Sequence, residues 1–187
     1  KDGYLKPKVK VEPIVIGGST IQYATAHNAR FVRENKIGVG ARLNIIRSGD
    51  VIPTILNVIS PAKITKMPTE NYIWNKSMID ILVEDMDNND EVKTKRIIYF
   101  FKELNVESLG DKLIRRLIQE GYETVPEIIK ITKSELLDID GFKEIMANKI
   151  IKNMRKAIKE ANIPTFIVAS GCFGRGMGTK KINKILS

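Results

Sequence analysis

Cysteine and histidine are nearly missing from this chain, with one of each, Cys172 and His27, in 187 residues. A single thiol excludes an internal disulfide and fits a reducing compartment. One cysteine and one histidine do not build a tetrahedral zinc site of the usual kind. Any Ser/His/Asp or Cys/His triad would have to use His27. Apolar runs are short and none approaches the roughly 18 residues that a membrane-crossing helix needs. There is no charged-then-apolar leader, which argues against export and predicts a cytoplasmic place. Walker and dinucleotide-type glycine patterns are absent. The first residue is Lys1 and not methionine, so the chain is expected to be a piece of a longer one.

What the chain does hold is apolar residue and positive charge. At 43% apolar, it has room for one large domain or two small ones. Its net charge of +9 is unevenly spread. Residues 1–60 carry nine Lys/Arg against four Asp/Glu, residues 61–140 twelve against sixteen, and residues 141–187 ten against two. Two basic ends around an acidic middle fit two surfaces on one polyanion, so nucleic acid is favoured.

Between Leu104 and Leu186 one pattern recurs three times: an apolar helix, a short glycine-bearing turn, and another helix. The turns are Ser108-Leu109-Gly110, Gly141-Phe142-Lys143 and Gly176-Met177-Gly178. Glycine lets the backbone turn sharply and approach a ligand closely. The helix that follows presents unpaired N–H groups and a positive dipole end, which suits phosphate. The pattern resembles the helix-hairpin-helix motif of proteins that grip the DNA backbone. An ordinary αα-hairpin is the alternative. Only the third turn keeps glycine on both sides. Ser108 and Lys143 interrupt the other two and leave them open as structural partners rather than phosphate clamps. The residues expected to hold the backbone here are Gly110, Lys112, Gly141, Lys143, Arg175, Gly176, Gly178, Lys180 and Lys181. Lys149, Lys152, Arg155, Lys156 and Lys159 share one very basic helix that either tracks phosphates or faces solvent.

Before Pro61 the pattern is β-like. Val9, Val11, Ile14 and Ile16 lead into the Gly17-Gly18 turn, and Thr20 to Thr25 supply the partner strand. A short helix is expected over Ala26 to Glu34. An alternating strand covers Ala41 to Arg47, and Val51 to Leu56 follows the Ser48-Gly49-Asp50 turn. This set predicts a small closed OB-type barrel of five short strands.

The phrases Val11-Glu12-Pro13-Ile14-Val15-Ile16-Gly17-Gly18-Ser19-Thr20, Ala24-Thr25-Ala26-His27-Asn28 and Arg47-Ser48-Gly49-Asp50-Val51-Ile52-Pro53 resemble, in order and spacing, the OB domain of NAD-dependent DNA ligases. Leu104 to Leu117 and Tyr122 to Lys156 resemble the helical domain of that family. The resemblance implies an α+β multidomain architecture: an OB-type β-barrel over residues 1–62, a small module over 63–95, and an all-α helix-hairpin-helix domain over 96–187. In the family a zinc finger with four cysteines follows the barrel. Residues 66–75 hold none, so zinc is not carried over. Trp74, Tyr72, Ile79, Ile81 and Val83 are expected to form an apolar mini-core in its place.

The resemblance also implies a function. An upstream nucleotidyltransferase domain, on the same chain or a separate subunit, would use NAD and Mg²⁺ to adenylate its lysine and activate the 5′-phosphate at a nick. The 3′-hydroxyl would then attack and release AMP. The part read here would close around double-stranded nicked DNA and be inactive alone. From the barrel, Arg30, Arg33, Arg42 and Arg47 would contact phosphate or minor groove. The alternative at these arginines is pairing with Glu34 or Asp50. Lys1-Asp2-Gly3 lacks one residue of the family's adenylated lysine motif and is rejected as nucleophile. Cys172 is expected to pack rather than react. The acids from Asp80 to Glu91 are read as a solvated turn and not as a metal-dependent nuclease site. A non-catalytic OB plus hairpin module of the RuvA, Holliday-junction type is the alternative function.

Overall fold

The structure, a computed structural model, describes residues 1–49 and 52–186. The predicted turn at Asp50 and the first residue of the strand after it, Val51, lie outside the described residues. The chain divides into two compact units, Gly3–Met86 on the one hand and Lys1–Asp2 with Asp87–Ser187 on the other.

Period-two alternation builds the first unit. After a two-residue β1 (Tyr4–Leu5), strand β2 (Lys8–Ile16) pairs antiparallel with β3 (Ser19–Thr25). Lys8 and Lys10 are exposed while Val9 packs toward the core, as side chains on a pleated strand must alternate. Helix α1 (Ala29–Glu34) starts where the Asn28 side chain accepts the Phe31 N–H, which satisfies one orphan donor of its first turn. Strands β4 (Arg42–Ser48) and β5 (Ile52–Ser60) then complete a sheet in the order β2-β3-β5-β4, with β3 and β5 parallel. Ala24, Ala26, Val32, Ile37 and Ile55 form the core on its concave side.

This is an OB-type sheet with a correction. The sequence predicts five strands and closure, whereas the described residues form a curled half-barrel of four. Closure needs a strand between the outer edges of β2 and β4. The stretch at Tyr4–Leu5 pairs instead with β7 (Ile81–Val83). A groove of about 840 Å³ is left along those edges, lined by Val9, Val11, Leu43, Ile45 and Met67 among others.

Where the ligases hold zinc, a three-stranded mini-sheet stands in the order β1-β7-β6, with β6 at Tyr72–Trp74. Ile81 and Val83 are buried in it, and the Tyr72 and Trp74 rings meet edge to face at 6.5 Å. Ile79, expected in this mini-core, is exposed. Polar and cationic contacts fasten the mini-sheet to α1. Arg30 donates from Nε to the Met78 carbonyl at 2.7 Å and from Nη2 to the Ser77 carbonyl. The Arg33 guanidinium stacks over the Trp74 ring at 4.3 Å.

The second unit is helical: α2 (Asp90–Glu103), α3 (Asp111–Gln119), α4 (Val125–Lys130), α5 (Lys133–Asp138), α6 (Glu144–Glu160), α7 (Ile163–Ser170) and α8 (Thr179–Leu186). Helical spacing makes its core. Ala147, Ile150, Ile151 and Met154 fall on one face of α6 and are buried. They pack with Phe101, Ile114, Leu117, Ile128 and Leu136 in one continuous cluster. Each such side chain removed from water contributes about 1.5–3 kcal/mol, which holds the hairpin turns on a rigid base. The acidic stretch is only partly a solvated turn: Asp80 is half-buried and pairs with Lys6 at 2.7 Å ahead of β7, whereas Glu84, Asp85 and Asp87 are exposed in the turn leading to α2. Asn89 caps that helix, and Asp90 and Glu91 sit in its first turn, where the helix dipole favours negative charge.

Candidate nucleic-acid interface

The three turns share one backbone design. Their first residues are all left-handed: Ser108 at φ 67°, Gly141 at φ 87° and Gly176 at φ 90°. Ser108 thus takes the shape that glycine takes in the other two. The second residues point inward, with Leu109 and Phe142 buried and Met177 half-buried. The third residue opens the next helix. The carbonyls of Gly110, Lys143 and Gly178 accept the N–H groups of Ile114, Ala147 and Ile182, at 3.1, 2.9 and 3.1 Å.

The starts of α3 and α6 differ from those of α1, α2, α4, α5 and α7 in how they are capped. Asn28, Asn89, Thr124, Thr132 and Asn162 cap α1, α2, α4, α5 and α7 with their own side chains. Gly110 and Lys143, which open α3 and α6, give no side-chain cap. No side chain takes up the first-turn N–H groups of these two helices, which lie at the positive end of the dipole, although the Leu113 N–H donates to the Gly110 carbonyl at 3.0 Å. An oxyanion is the complementary ligand.

Cations surround these turns. Lys112, Lys143, Lys180 and Lys181 are exposed and, among the described residues, form no ion pair. Arg175 is exposed beside Gly176. Lys149, Lys152, Arg155, Lys156 and Lys159 are exposed along α6. Arg115 is held differently. It makes a bidentate pair with Glu91 at 2.8 and 2.8 Å, tying α3 to α2. The hydrogen bond from Arg115 lowers the Glu91 carboxyl to a pKa of about 2, and Lys95 adds to the effect.

The barrel arginines do not gather into one patch. Arg30 and Arg33 face the mini-sheet, as described above. Arg47 is half-buried and reaches the carbonyls of Ile16 and Gly17 at 3.4 Å each, across the β2–β3 turn. Arg42 is exposed on the edge strand β4. A basic-aromatic pair that the sequence reading missed lies on the exposed face of β2 and β3. The Lys8 ammonium sits 4.5 Å from the centre of the Tyr23 ring, and Lys10 is the cross-strand neighbour of Tyr23. The alternation Lys8-Val9-Lys10-Val11 was the available signal.

Two expectations about soft donors meet the structure here. Cys172 is exposed and does not pack, because the turn after α7 carries it away from the helical core. His27, at φ 55°, places Nε2 2.7 Å from the Ile55 carbonyl and meets the Phe31 ring edge to face at 4.6 Å. Among the described residues no group of three His, Cys, Asp or Glu side chains is placed to hold a metal. The donor set therefore does not fit the zinc of the ligase family, and no step is assigned to it.

The chain thus combines an OB-type half-barrel with helices joined through left-handed, glycine-bearing turns. Residues 1–67 match the OB-fold domain of NAD-dependent DNA ligases. Over its whole length the chain is 40% identical to a DNA ligase of Acanthamoeba polyphaga mimivirus, of which it spans 29%. It is 31% identical, again along its whole length, to a DNA ligase of Desulfatibacillum aliphaticivorans, spanning 30% of that protein. A Leptospira interrogans DNA ligase is 30% identical over 84% of the chain, which spans 25% of it. The chain belongs to the NAD-dependent DNA ligase family, and it spans less than a third of the length of these curated relatives. No helix among the described residues is long and apolar enough to cross a membrane.

Proposed function

We propose that this chain is the part of an NAD-dependent DNA ligase that grips nicked duplex DNA during sealing. The observation that carries the reading is the pair of helix starts at Gly110 and Lys143 without a side-chain cap, set behind left-handed turns, with Lys112 and Lys143 exposed and, among the described residues, in no ion pair. These N–H groups take phosphate oxygens, Lys112 and Lys143 neutralise charge beside them, and Lys180 and Lys181 do so at the third turn. On the half-barrel, Lys8, Lys10, Tyr23 and Arg42 offer the second basic surface. Arg30, Arg33 and Arg47 serve first as fasteners of the fold. NAD and Mg²⁺ act in a nucleotidyltransferase domain, on the same polypeptide or a partner subunit, and the chain alone seals no nick. A limit near residue 62 goes with this reading, with the small module ending before α2 rather than at residue 95, which lies inside that helix. A place in the cytoplasm or a viral replication compartment goes with it too.

Holding a nick in register is itself catalytic help. Phosphoryl transfer depends mainly on positioning and charge stabilisation, so a clamp acts on rate as well as affinity. The test is a competition at fixed salt between nicked duplex, intact duplex and a four-way junction. Preference for nicked or intact duplex over the junction supports the ligase clamp. Preference for the junction would replace it with the RuvA-type reading.

A further inference from the structure

The three turns share a backbone, yet each covers its left-handed residue with a different side chain. On the first, Asn153 of α6 donates to the Glu107 carbonyl at 3.2 Å and approaches the Ser108 hydroxyl at 3.4 Å. On the third, the Lys181 ammonium lies 4.0 Å from where a Cβ on Gly176 would stand. On the second, the cover comes from another helix. Arg116 of α3 lays its guanidinium on Gly141, with Nη1 2.7 Å and Cζ 3.3 Å from the position of a Cβ there. Gly141 is favoured by its φ of 87°, and any Cβ there would push the Arg116 guanidinium aside.

The second turn has its own cation in Lys143, but its helix lacks one at the position where the other two have a lysine. At the second position of the following helix, α3 and α8 carry Lys112 and Lys180, but α6 carries Ile145, which is 85% exposed. Its first-turn acid, Glu144, is taken up by Lys133 at 2.7 Å. The guanidinium of Arg116, lying on Gly141, adds a second cation beside Lys143. Among the described residues its carboxylate partner is Asp140, and that contact is loose: Nη2 to Oδ2 is 3.4 Å, and the Asp140 side chain is fully exposed. Exposed pairs of this kind contribute little to stability. A phosphate offers the same guanidinium fork two oxygens and a fixed geometry.

We propose that Arg116 is a DNA-phosphate contact of the second hairpin, and that Asp140 holds its place when DNA is absent. The carboxylate stands where a phosphate oxygen will stand, and binding exchanges one oxyanion for the other. The proposal rests on the duplex-binding reading above and assigns a contact to a turn whose own sequence lacks a glycine at its third position.

The experiment measures affinity of the 187-residue chain for labelled nicked duplex by fluorescence anisotropy across a salt series. The variants are Arg116→Ala, Asp140→Asn and the double variant, each first checked by thermal unfolding. Arg116→Ala should weaken binding by about 3- to 10-fold and reduce the slope of log affinity against log salt by about one. Asp140→Asn should strengthen binding several-fold, and that gain should vanish in the Arg116→Ala background. Should Arg116→Ala fail to fold, Asp140→Asn alone still decides. Tighter binding supports the exchange. Weaker or unchanged binding means that the pair only shapes the turn, and the proposal falls. If the unaltered chain binds no duplex at all, the duplex reading fails first and takes this contact with it.

Discussion

The two units of the chain are held together by different means. The helical unit closes over one continuous cluster that includes Phe101, Leu117, Ile128, Leu136, Ile150 and Met154. The half-barrel unit has a much smaller buried set around Ala24, Val32 and Ile55, and leaves large apolar side chains such as Val39, Ile59 and Ile64 exposed. It makes up for this with contacts between groups far apart in sequence: Arg30 on the Ser77 and Met78 carbonyls, Arg33 on Trp74, His27 on Ile55, Lys6 on Asp80. The lesson concerns where function can be placed. Turns on a dense core can keep uncapped N–H groups fixed without help, so their polar groups remain available to a ligand. A sheet with little core spends its arginines on its own cohesion.

The contrast can be broken most sharply at the core. Leu117→Ala should cost the helical unit about 2–5 kcal/mol, because a fully buried side chain leaves a cavity behind. Denaturation followed by helical circular dichroism reads that unit. Fluorescence of Trp74, the single tryptophan, reads the half-barrel and should move less. Equal shifts in both signals would erase the distinction. Gly141→Ala comes next, at about 1–3 kcal/mol, since alanine is strained at positive φ and its Cβ would meet the Arg116 guanidinium. Gly178→Ala, with no positive φ and open space around its Cα, should be far milder in the same melt.

Smaller effects sharpen the other side of the comparison. Arg33→Ala should lower the half-barrel's stability by about 0.5–1 kcal/mol by removing a cation from an aromatic face. The Trp74 transition would report it, with the helical signal unmoved. Last comes Glu91→Gln, at a few tenths to about 1 kcal/mol, because the pair is half-exposed and screened. Its pH dependence has a definite sign. The carboxyl is depressed from 4.5 to about 2 in the folded state, so its contribution is complete above about pH 4.5 and is lost as pH falls toward 2. Acid unfolding of the helical unit should be less steep in that window for Glu91→Gln than for the unaltered chain.

Much of this was legible in the sequence because the signals were local. Glycine and apolar residues at fixed offsets gave the three turns, and period-two alternation gave the sheet. The family phrases around Val11 and Arg47 gave the OB identity. Even Ser108 fits, since its turn is set by the flanking helices and not by the residue alone. What stayed hidden depends on long-range contact. That Arg30 and Arg33 fasten the mini-sheet requires knowing that residues 74–78 return to α1. Arg116 was passed over because its turn lies 25 positions further on. The open edge of the half-barrel follows from Tyr4–Leu5 choosing β7 as its partner, a choice between distant strands that alternation does not encode.

The central claim is that the chain holds duplex DNA by its phosphates. The most direct measurement is the affinity for nicked duplex across a salt series, repeated with a duplex of unrelated sequence. Counterion release predicts a steep linear fall of log affinity with log salt and the same slope for both sequences. A flat salt dependence, or an affinity that follows base sequence, would contradict it.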